Sequence, residues 1–347
     1  MVKYYHEQAN SIPIYDECDI LVVGGGAAGH SAAIAAARAG NKNIILLERY
    51  GYMGGDATGG YVVMVPNLSW YNKSFVRGLQ EEWFTRLEKV PGAILGPGFD
   101  EIGNTSPLLI DRWQGINDCV SRLTEVPIRV TRAVYFDPDQ LKIEMDKMLL
   151  EEKDRIRVYC HCWATKPIME GNEIKGVIFE SKEGRKAIMA KVVIDATGDG
   201  DIFSQAGAPY SDSTDGTTRA STMALVFRVA GVDYPAYDRW KRANPAAYDD
   251  MVKSLERLAG FPIRPLPTNR DDMVWFNNWL PNRSCIKVKD LTDTEMTVRN
   301  VIRDVIEFMR NALPIAFKNA YLYDIAPQTG NRNSRRLKVY IIYIIGR

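Results

Sequence analysis

The sequence has little of what secreted, metal-binding or membrane-spanning proteins need. Its 347 residues include five cysteines, an odd number at scattered positions, which does not fit a secreted disulfide framework. No run approaches the ~20 apolar residues that span a bilayer, and the first twenty residues lack the apolar core of a signal peptide. The sequence therefore predicts a cytoplasmic protein with no membrane segment.

An excess of charge of one sign is also absent. The chain has 44 Lys and Arg against 43 Asp and Glu, a net charge of +1. Nucleic-acid binding depends largely on Lys and Arg that neutralise phosphates, and no long basic block occurs. We therefore expect no nucleic-acid partner.

A metal site is not expected either. Among only three histidines, His161 lies between Cys160 and Cys162, in a segment (157–165) predicted as one strand. Alternate residues of a strand point to opposite faces, so both cysteines would share one face without the second ligand pair of a zinc site. His30 is predicted on the surface of a helix.

What the sequence does contain is a glycine-rich turn between two predicted buried strands, 19–23 and 43–48, with a helix of small residues over 30–39. Gly24, Gly26 and Gly29 fit the pattern G-x-G-x-x-G between strand and helix. The first permits a tight turn, the second lets the backbone approach a pyrophosphate, and the third lets helix and strand pack closely.

A single acid follows at the spacing that this turn requires. Glu48 lies nineteen residues after Gly29, at the end of the second predicted strand. A carboxylate there can accept hydrogen bonds from adenosine ribose hydroxyls and would repel a 2′-phosphate. Strand, glycines, helix, strand and acid in this order predict a dinucleotide site.

Two further segments bear on which dinucleotide is bound. Gly54, Gly55 and Thr58, in "GYMGGDAT", are not part of the minimal nicotinamide fingerprint and suit a loop along a pyrophosphate and a flavin ring. The segments "VIDATGDGDIFSQAGAPY" (193–210) and "GNRNSRRL" (330–337) are similar to those of FAD-dependent oxidoreductases. Within the two-dinucleotide-binding-fold superfamily, the sequence most resembles the family related to fumarate reductase flavoproteins and the heterodisulfide reductase A subunit.

The resemblance spans about residues 19–337 and implies an α/β fold. This is a Rossmann-like FAD/NAD(P)-binding fold with a parallel sheet, a β-hairpin region and an inserted α+β cap domain. The implied segments are 1–60 (first FAD-binding segment), 61–134 (insertion), 135–210 (second FAD-binding segment), 211–325 (cap or substrate domain) and 326–347 (start of the return to the FAD domain).

The resemblance also implies that FAD is the cofactor, with backbone groups around 162–164 near the adenine. The residues that it places at FAD are Gly24, Gly26, Gly29, Glu48, Arg49, Gly54, Gly55, Thr58, Ala164, Ala196, Thr197 and Gly198. Asp199 and Asp201 are either further ligands or solvated turn carboxylates.

The end of the sequence departs from the family pattern. Family members continue into a glycine-rich stretch whose backbone contacts the ribityl chain and the isoalloxazine, whereas here "VYIIYII" (339–345) follows Lys338. We expect a truncated chain that lacks this far wall of the flavin site, with an apolar end that favours association.

By resemblance, the function is that of an FAD-dependent oxidoreductase, a dehydrogenase or reductase that transfers hydride between flavin N5 and a small organic substrate. Two of Arg332, Arg335 and Arg336 could face one substrate carboxylate; alternatively they form a surface cluster or contact phosphates. No catalytic residue is identified.

Alternatives for function remain. The chain could be an electron-transfer flavoprotein subunit with a protein partner, or an inactive nucleotide-binding fragment; a homo-oligomer is also possible. Trp275, Phe276 and Trp279 could stack on a flavin or an aromatic substrate, or belong to a domain core.

Overall fold

The computed structural model describes residues 3–66, 68–70, 73–113, 129–212, 223–332 and 334–338. The chain divides into two compact units. The first unit comprises Met1–Met53, Leu149–Tyr210 and Leu337–Arg347, and the second comprises Gly54–Met148 and Ser211–Arg336. Each has its own hydrophobic core. The apolar stretch 339–345 lies outside the described residues.

A six-stranded mixed sheet forms the first unit. Its strands are β1 (Ile14–Val23), β2 (Ile44–Leu47), β8 (Ile156–Tyr159), β9 (Trp163–Glu170), β10 (Glu173–Ser181) and β11 (Gly184–Asp195). In the order β8-β2-β1-β11-β10-β9, the first four strands are parallel and the last three form an antiparallel meander. The predicted α/β class, with a parallel sheet and a β-hairpin region, is confirmed.

The register of this sheet aligns three strand ends. Val23 of β1 pairs with Leu47 of β2 and with Asp195 of β11. The carboxyl ends of parallel strands meet at one edge of a sheet, which is where ligands bind in open α/β sheets. The residues that follow these three strands therefore lie at the same edge.

Helix α1 (Ala27–Arg38) connects β1 to β2 and packs closely because its buried side chains are mostly small. The buried residues are Gly29, His30, Ala33, Ile34 and Ala37, at the three- and four-residue spacing of one helix face. His30 is completely buried. The prediction that it lies on the helix surface is therefore wrong, because position 30 belongs to the buried face.

The predicted strand over 157–165 is interrupted. Residues 160–162 connect β8 to β9, and His161 has a φ of +58°. The backbone leaves the strand because the His161 N–H donates to Tyr50 O at 3.2 Å and the Cys162 N–H donates to Glu48 O at 2.9 Å. The expectation that Cys160 and Cys162 share one face of a strand is therefore wrong.

A four-stranded antiparallel sheet lies at the centre of the second unit. Its order is β15-β16-β14-β17, from strands β14 (Phe227–Ala230), β15 (Ile263–Pro267), β16 (Met273–Asn278) and β17 (Tyr321–Ile325). The rings of Phe227 and Phe276, opposite each other in the ladder, stack with centroids 4.8 Å apart. Phe276 is therefore part of a core.

Helices and short strands complete the chain. The helices are α2 (Leu79–Leu87), α3 (Pro107–Arg112), α4 (Pro138–Glu151), α5 (Asp201–Gln205), α6 (Tyr234–Ala243), α7 (Pro245–Ala259), α8 (Val288–Ala312) and α9 (Pro314–Phe317). The short strands are β3 (Met64–Val65), β4 (Ser69–Trp70), β5 (Lys73–Ser74), β6 (Ile94–Leu95), β7 (Val134–Phe136), β12 (Tyr210–Asp212), β13 (Met223–Ala224), β18 (Gly330–Asn331) and β19 (Arg335–Leu337). Within the described ranges, no helix has the length and apolarity to span a bilayer.

Candidate functional site

The glycine turn after β1 lies directly against the segment after β11. Gly24 has a φ of +99°, and a Cβ atom there would overlap the backbone oxygen of Ala196 and lie 2.9 Å from the Cα of Thr197. The Ala196 N–H donates to Val23 O at 2.8 Å. The structure thus brings together Gly24, Ala196 and Thr197, which the sequence places far apart.

The same turn leads into helix α1 without a side-chain cap. Gly26 is the N-cap residue in an extended conformation, and it has no side chain that could accept from the first turn. A Cβ atom at Gly29 would collide with the Gly24 oxygen. The backbone of the helix therefore packs directly against the backbone of the turn. The helix start leaves free N–H groups and the positive end of the helix dipole at the sheet edge, an arrangement that suits phosphate.

The Glu48 side chain is hydrogen-bonded to this turn. It follows β2 and is only 7% exposed. One carboxylate oxygen, Oε2, accepts a short hydrogen bond from the Gly25 N–H, and Oε1 accepts one from the Tyr50 N–H at 2.8 Å. Each carboxylate oxygen has two lone pairs, so both can still accept a hydroxyl hydrogen from a ligand.

Arg49 lies between two aromatic rings. Its guanidinium carbon is 4.9 Å from the Tyr50 ring centroid and 5.3 Å from that of Trp163, and Nη1 is 3.9 Å from Asp199 Oδ2. Asp199 is only 6% exposed, so the alternative of a solvated carboxylate is wrong for this residue. The contacts join the segments that follow β2 and β11 to the start of β9.

Asp195, which sequence reasoning did not single out, shapes the segment that follows β11. Its Oδ1 accepts from the N–H and the hydroxyl of Thr197, at 3.1 and 2.7 Å. Its Oδ2 accepts from the N–H groups of Ile202 and Phe203, at 3.1 and 2.8 Å. One carboxylate therefore fixes the turn and caps helix α5, whose N-cap, Gly200, has no side chain. The sequence feature that could have predicted this role is an Asp at the end of a strand, a few residues before a short helix.

Another predicted residue of the first unit is Ala164, in β9. It pairs with Phe179 of β10 and is half-buried. Just before it, the Cys162 N–H donates to the Glu48 carbonyl oxygen. The start of β9 therefore runs beside the backbone that carries the predicted ribose-binding acid.

Gly54, Gly55 and Thr58 belong to the second unit. They form a compact turn in which Gly54 has a φ of +102° and the side chain of Thr58 is completely buried. A Cβ atom at Gly54 would lie 2.6 Å from Thr58 Oγ1 and 3.0 Å from Met145 Sδ. The Gly59 N–H donates to Gly55 O at 2.7 Å. Packing inside this unit therefore requires glycine at position 54.

The three predicted substrate arginines also lie in the second unit. Arg332 and Arg336 are exposed, and Arg335 is half-buried. Arg335 and Arg336 are consecutive in β19, and consecutive strand residues point to opposite faces. A pair that faces one carboxylate would therefore have to include Arg332.

In the part of the chain that the structure describes, no group of three or more His, Cys, Asp and Glu side chains is placed to hold a metal ion. The cysteines beside His161 are both half-buried, and burial raises the pKa of the Cys162 thiol. The chemistry of the site is therefore that of backbone N–H groups, the buried carboxylates of Glu48 and Asp199, and the guanidinium of Arg49.

The chain matches one family over most of its length. The model of the family described as FAD dependent oxidoreductase matches residues 19–341. Over 58 residues, 16% of the chain, it is 48% identical to the urocanate reductase of Eggerthella lenta, but this stretch is only 9% of that enzyme.

Solved structures share the fold. The p-nitrophenol 4-monooxygenase of Pseudomonas putida superposes with a TM-score of 0.50 at 12% identity, covering 93% of this chain and 69% of the monooxygenase. The flavin-dependent monooxygenase PieE, solved with FAD and substrate, gives 0.52 at 14% identity, covering 95% of this chain and 52% of PieE. The chain thus spans about half the length of PieE.

Proposed function

Because the chain belongs to the family of FAD-dependent oxidoreductases, whose cofactor is FAD, we propose that it oxidises or reduces a small organic substrate. Bound flavin supplies the redox chemistry, by hydride transfer at N5. The protein contributes binding, orientation and electrostatics. The observation that carries the proposal is the hydrogen bond between the Glu48 carboxylate and the glycine turn.

The residues of the first unit fit the adenosine diphosphate half of FAD. Cβ atoms at Gly24, Gly25 or Gly29 would collide with neighbouring atoms. Glycine at these positions therefore lets the turn keep this shape, and leaves its backbone accessible to the pyrophosphate. The uncapped start of α1 offers N–H groups to the pyrophosphate. Gly24, Gly26 and Gly29 would therefore lie along the phosphates, and Ala196, Thr197 and Gly198 beside them.

Glu48 and Arg49 would fix the adenosine end. With one lone pair of each Glu48 oxygen held by a backbone N–H, the free lone pairs would accept the two ribose hydroxyls. Arg49, stacked between Tyr50 and Trp163, would present a flat guanidinium edge there, and the backbone near Ala164 would contact the adenine.

The substrate is a small organic molecule in this proposal. The match to a urocanate reductase supports an unsaturated acid as the first compound to test. Arg332, together with Arg335 or Arg336, is a candidate for binding such an anion.

A reoxidation experiment tests the reaction. The protein is loaded with FAD, reduced anaerobically with dithionite, desalted and mixed with urocanate, fumarate or buffer while the oxidised flavin absorption is followed. We expect one organic acid to reoxidise the flavin faster than buffer. If only a one-electron acceptor such as ferricyanide reoxidises it, and no alcohol, amine or saturated acid reduces the oxidised form, the proposed reaction is wrong.

A further inference from the structure

One face of the four-stranded sheet in the second unit carries two arginines with different surroundings. Arg228 of β14 pairs with Trp275 of β16, and Trp275 pairs with Leu266 of β15. Directly opposite residues of an antiparallel pair share a face, as do residues two apart along a strand. Arg264, two residues before Leu266, therefore lies on the same face as Arg228 and Trp275.

The Arg228 guanidinium is bound by carboxylates of the chain itself. Its Nε donates to Asp324 Oδ1 at 2.9 Å, its Nη2 donates to Oδ2 at 2.5 Å, and Asp137 lies 3.8 Å from Nη1. The Tyr61 ring covers the guanidinium, with its centroid 4.6 Å away. This arginine has two carboxylate partners and a covering ring, so it is not available to a ligand.

The Arg264 guanidinium contacts an aromatic ring, but one of its N–H groups has no hydrogen-bond partner among the described residues. Its guanidinium carbon lies 4.8 Å from the centroid of the Trp279 ring, a cation–π contact. Its Nε is buried and has no hydrogen-bond partner in the described part of the chain. Asn277, opposite Arg264 in the ladder, is half-buried like Arg264 and Trp279, so this end of the face remains open to solvent.

A second donor without a partner among the described residues lies on the same face of the sheet. Trp275 is 2% exposed, and its indole Nε1 has no hydrogen-bond partner among the described residues. Trp275 and Arg264 are diagonal neighbours on one face of the β15–β16 ladder. Buried donors are almost always paired, because an unpaired one costs about 1–3 kcal/mol. Two unpaired donors on one face of the sheet indicate a site for an acceptor that the described residues do not supply.

We propose that Arg264, Trp275 and Trp279 form a binding site for the carboxylate of a small organic acid. A guanidinium edge and a carboxylate match as a two-bond fork, and the indole N–H supplies a further donor. Partial burial lowers the local dielectric constant, which strengthens both interactions. The inference deepens the proposed function and rests on it, since it assigns the carboxylate of the acid substrate to Arg264 in place of Arg332, Arg335 and Arg336.

Calorimetric titration tests the site. Benzoate, its neutral isostere benzamide and inorganic phosphate are titrated into the FAD-loaded protein and into the same protein without FAD. We expect benzoate to bind and benzamide to bind at least ten times more weakly, because it lacks the charge. Phosphate binding as tight as benzoate, or no benzoate binding at all, would overturn the carboxylate assignment.

Substitutions test which residues bind benzoate. Arg264→Met should weaken benzoate binding by about 10- to 100-fold, and Trp275→Phe, which removes the N–H but keeps an aromatic ring, by about 3- to 10-fold. Arg239→Met, at an exposed arginine of α6, and Trp240→Phe, at a half-buried tryptophan, should leave benzoate affinity unchanged. Equal affinities in all four variants would contradict the site.

The design separates the two proposals. FAD content after desalting is measured for each variant. Loss of benzoate affinity in Arg264→Met with full FAD content supports the carboxylate site. A wild-type protein that binds benzoate through Arg264 but retains no FAD would support the anion site and contradict the proposed function.

Discussion

The Glu48 carboxylate accepts a hydrogen bond from the backbone N–H of Gly25. The acid at the end of the second strand is thereby joined to the turn at the end of the first. Since Tyr50 donates to the other carboxylate oxygen, the side chain is held in one orientation before any ligand binds. In the proposed role of Glu48, this preorganisation would lower the entropy cost of binding an adenosine ribose.

Gly24 should be far less tolerant of substitution than Gly40, although both have nearly the same positive φ, +99° and +100°. A Cβ atom at Gly40 meets nothing within 4 Å, whereas one at Gly24 overlaps Ala196. We expect Gly40→Ala to cost about 1–2 kcal/mol of unfolding free energy. Gly24→Ala should cost about 1–3 kcal/mol more. Urea denaturation measures both, and equal losses would show that Ala196 does not restrict the turn.

Asp195→Ala should destabilise the first unit by about 2–4 kcal/mol and lower FAD affinity, because four donors lose their acceptor. Asp154→Ala, at an exposed turn position, is the matched control and should change unfolding free energy by less than about 0.5 kcal/mol. The measurements are urea denaturation and FAD titration. An Asp195→Ala protein as stable as the control would contradict the capping role.

The buried Arg228–Asp324 pair should matter much more than an exposed pair of similar geometry. The Arg228 side chain is 4% exposed, whereas Arg270 and Asp272 are 48% and 57% exposed. Arg228→Met leaves Asp324, whose side chain is 25% exposed, without its cation and should cost about 2–3 kcal/mol, because partial solvation reduces the penalty of a buried unpaired charge. Arg270→Met should cost less than about 1 kcal/mol. Similar losses in chemical denaturation would mean that burial does not strengthen the pair.

Tyr61 should resist ionisation. Burial, followed by the nearby Asp324 carboxylate, raises the pKa of its phenol to about 12 although Arg228 acts in the opposite direction. Because the folded pKa exceeds the unfolded value of about 10, its contribution to stability is complete below about pH 10 and is lost as pH rises through about 12. The difference in tyrosinate absorbance between wild type and Tyr61→Phe measures this pKa; a midpoint near 10 would contradict the buried setting.

The local parts of the site could be predicted from sequence because they depend on short spacings. Strand, glycine turn, helix, strand and Glu48 follow one another within a single β–α–β unit, and hydrophobic periodicity identifies each element. The side of α1 that faces the sheet was harder to predict, since a helix of small residues has a weak pattern, and His30 was placed on the wrong side.

The other features depend on contacts that spacing does not encode. Asp195 reaches N–H groups seven and eight residues further on only because the intervening chain turns through positive φ at Gly198 and Gly200. The pairing of Arg264 with Trp275 on one face requires the register of β15 against β16, and β-strand register is set by tertiary packing. The break at His161 depends on backbone bonds to Glu48 and Tyr50.

The most direct test of the central claim is a visible absorption spectrum of the purified chain after incubation with FAD and desalting. Wild type is compared with Glu48→Gln and with Glu180→Gln, whose carboxylate is exposed and bonds to Arg185. We expect wild type and Glu180→Gln to retain the flavin bands, and Glu48→Gln to bind FAD about 10- to 100-fold more weakly, because a charged acceptor is lost. A colourless wild type, or equal retention by all three proteins, would contradict the assignment of this edge of the sheet as the FAD site.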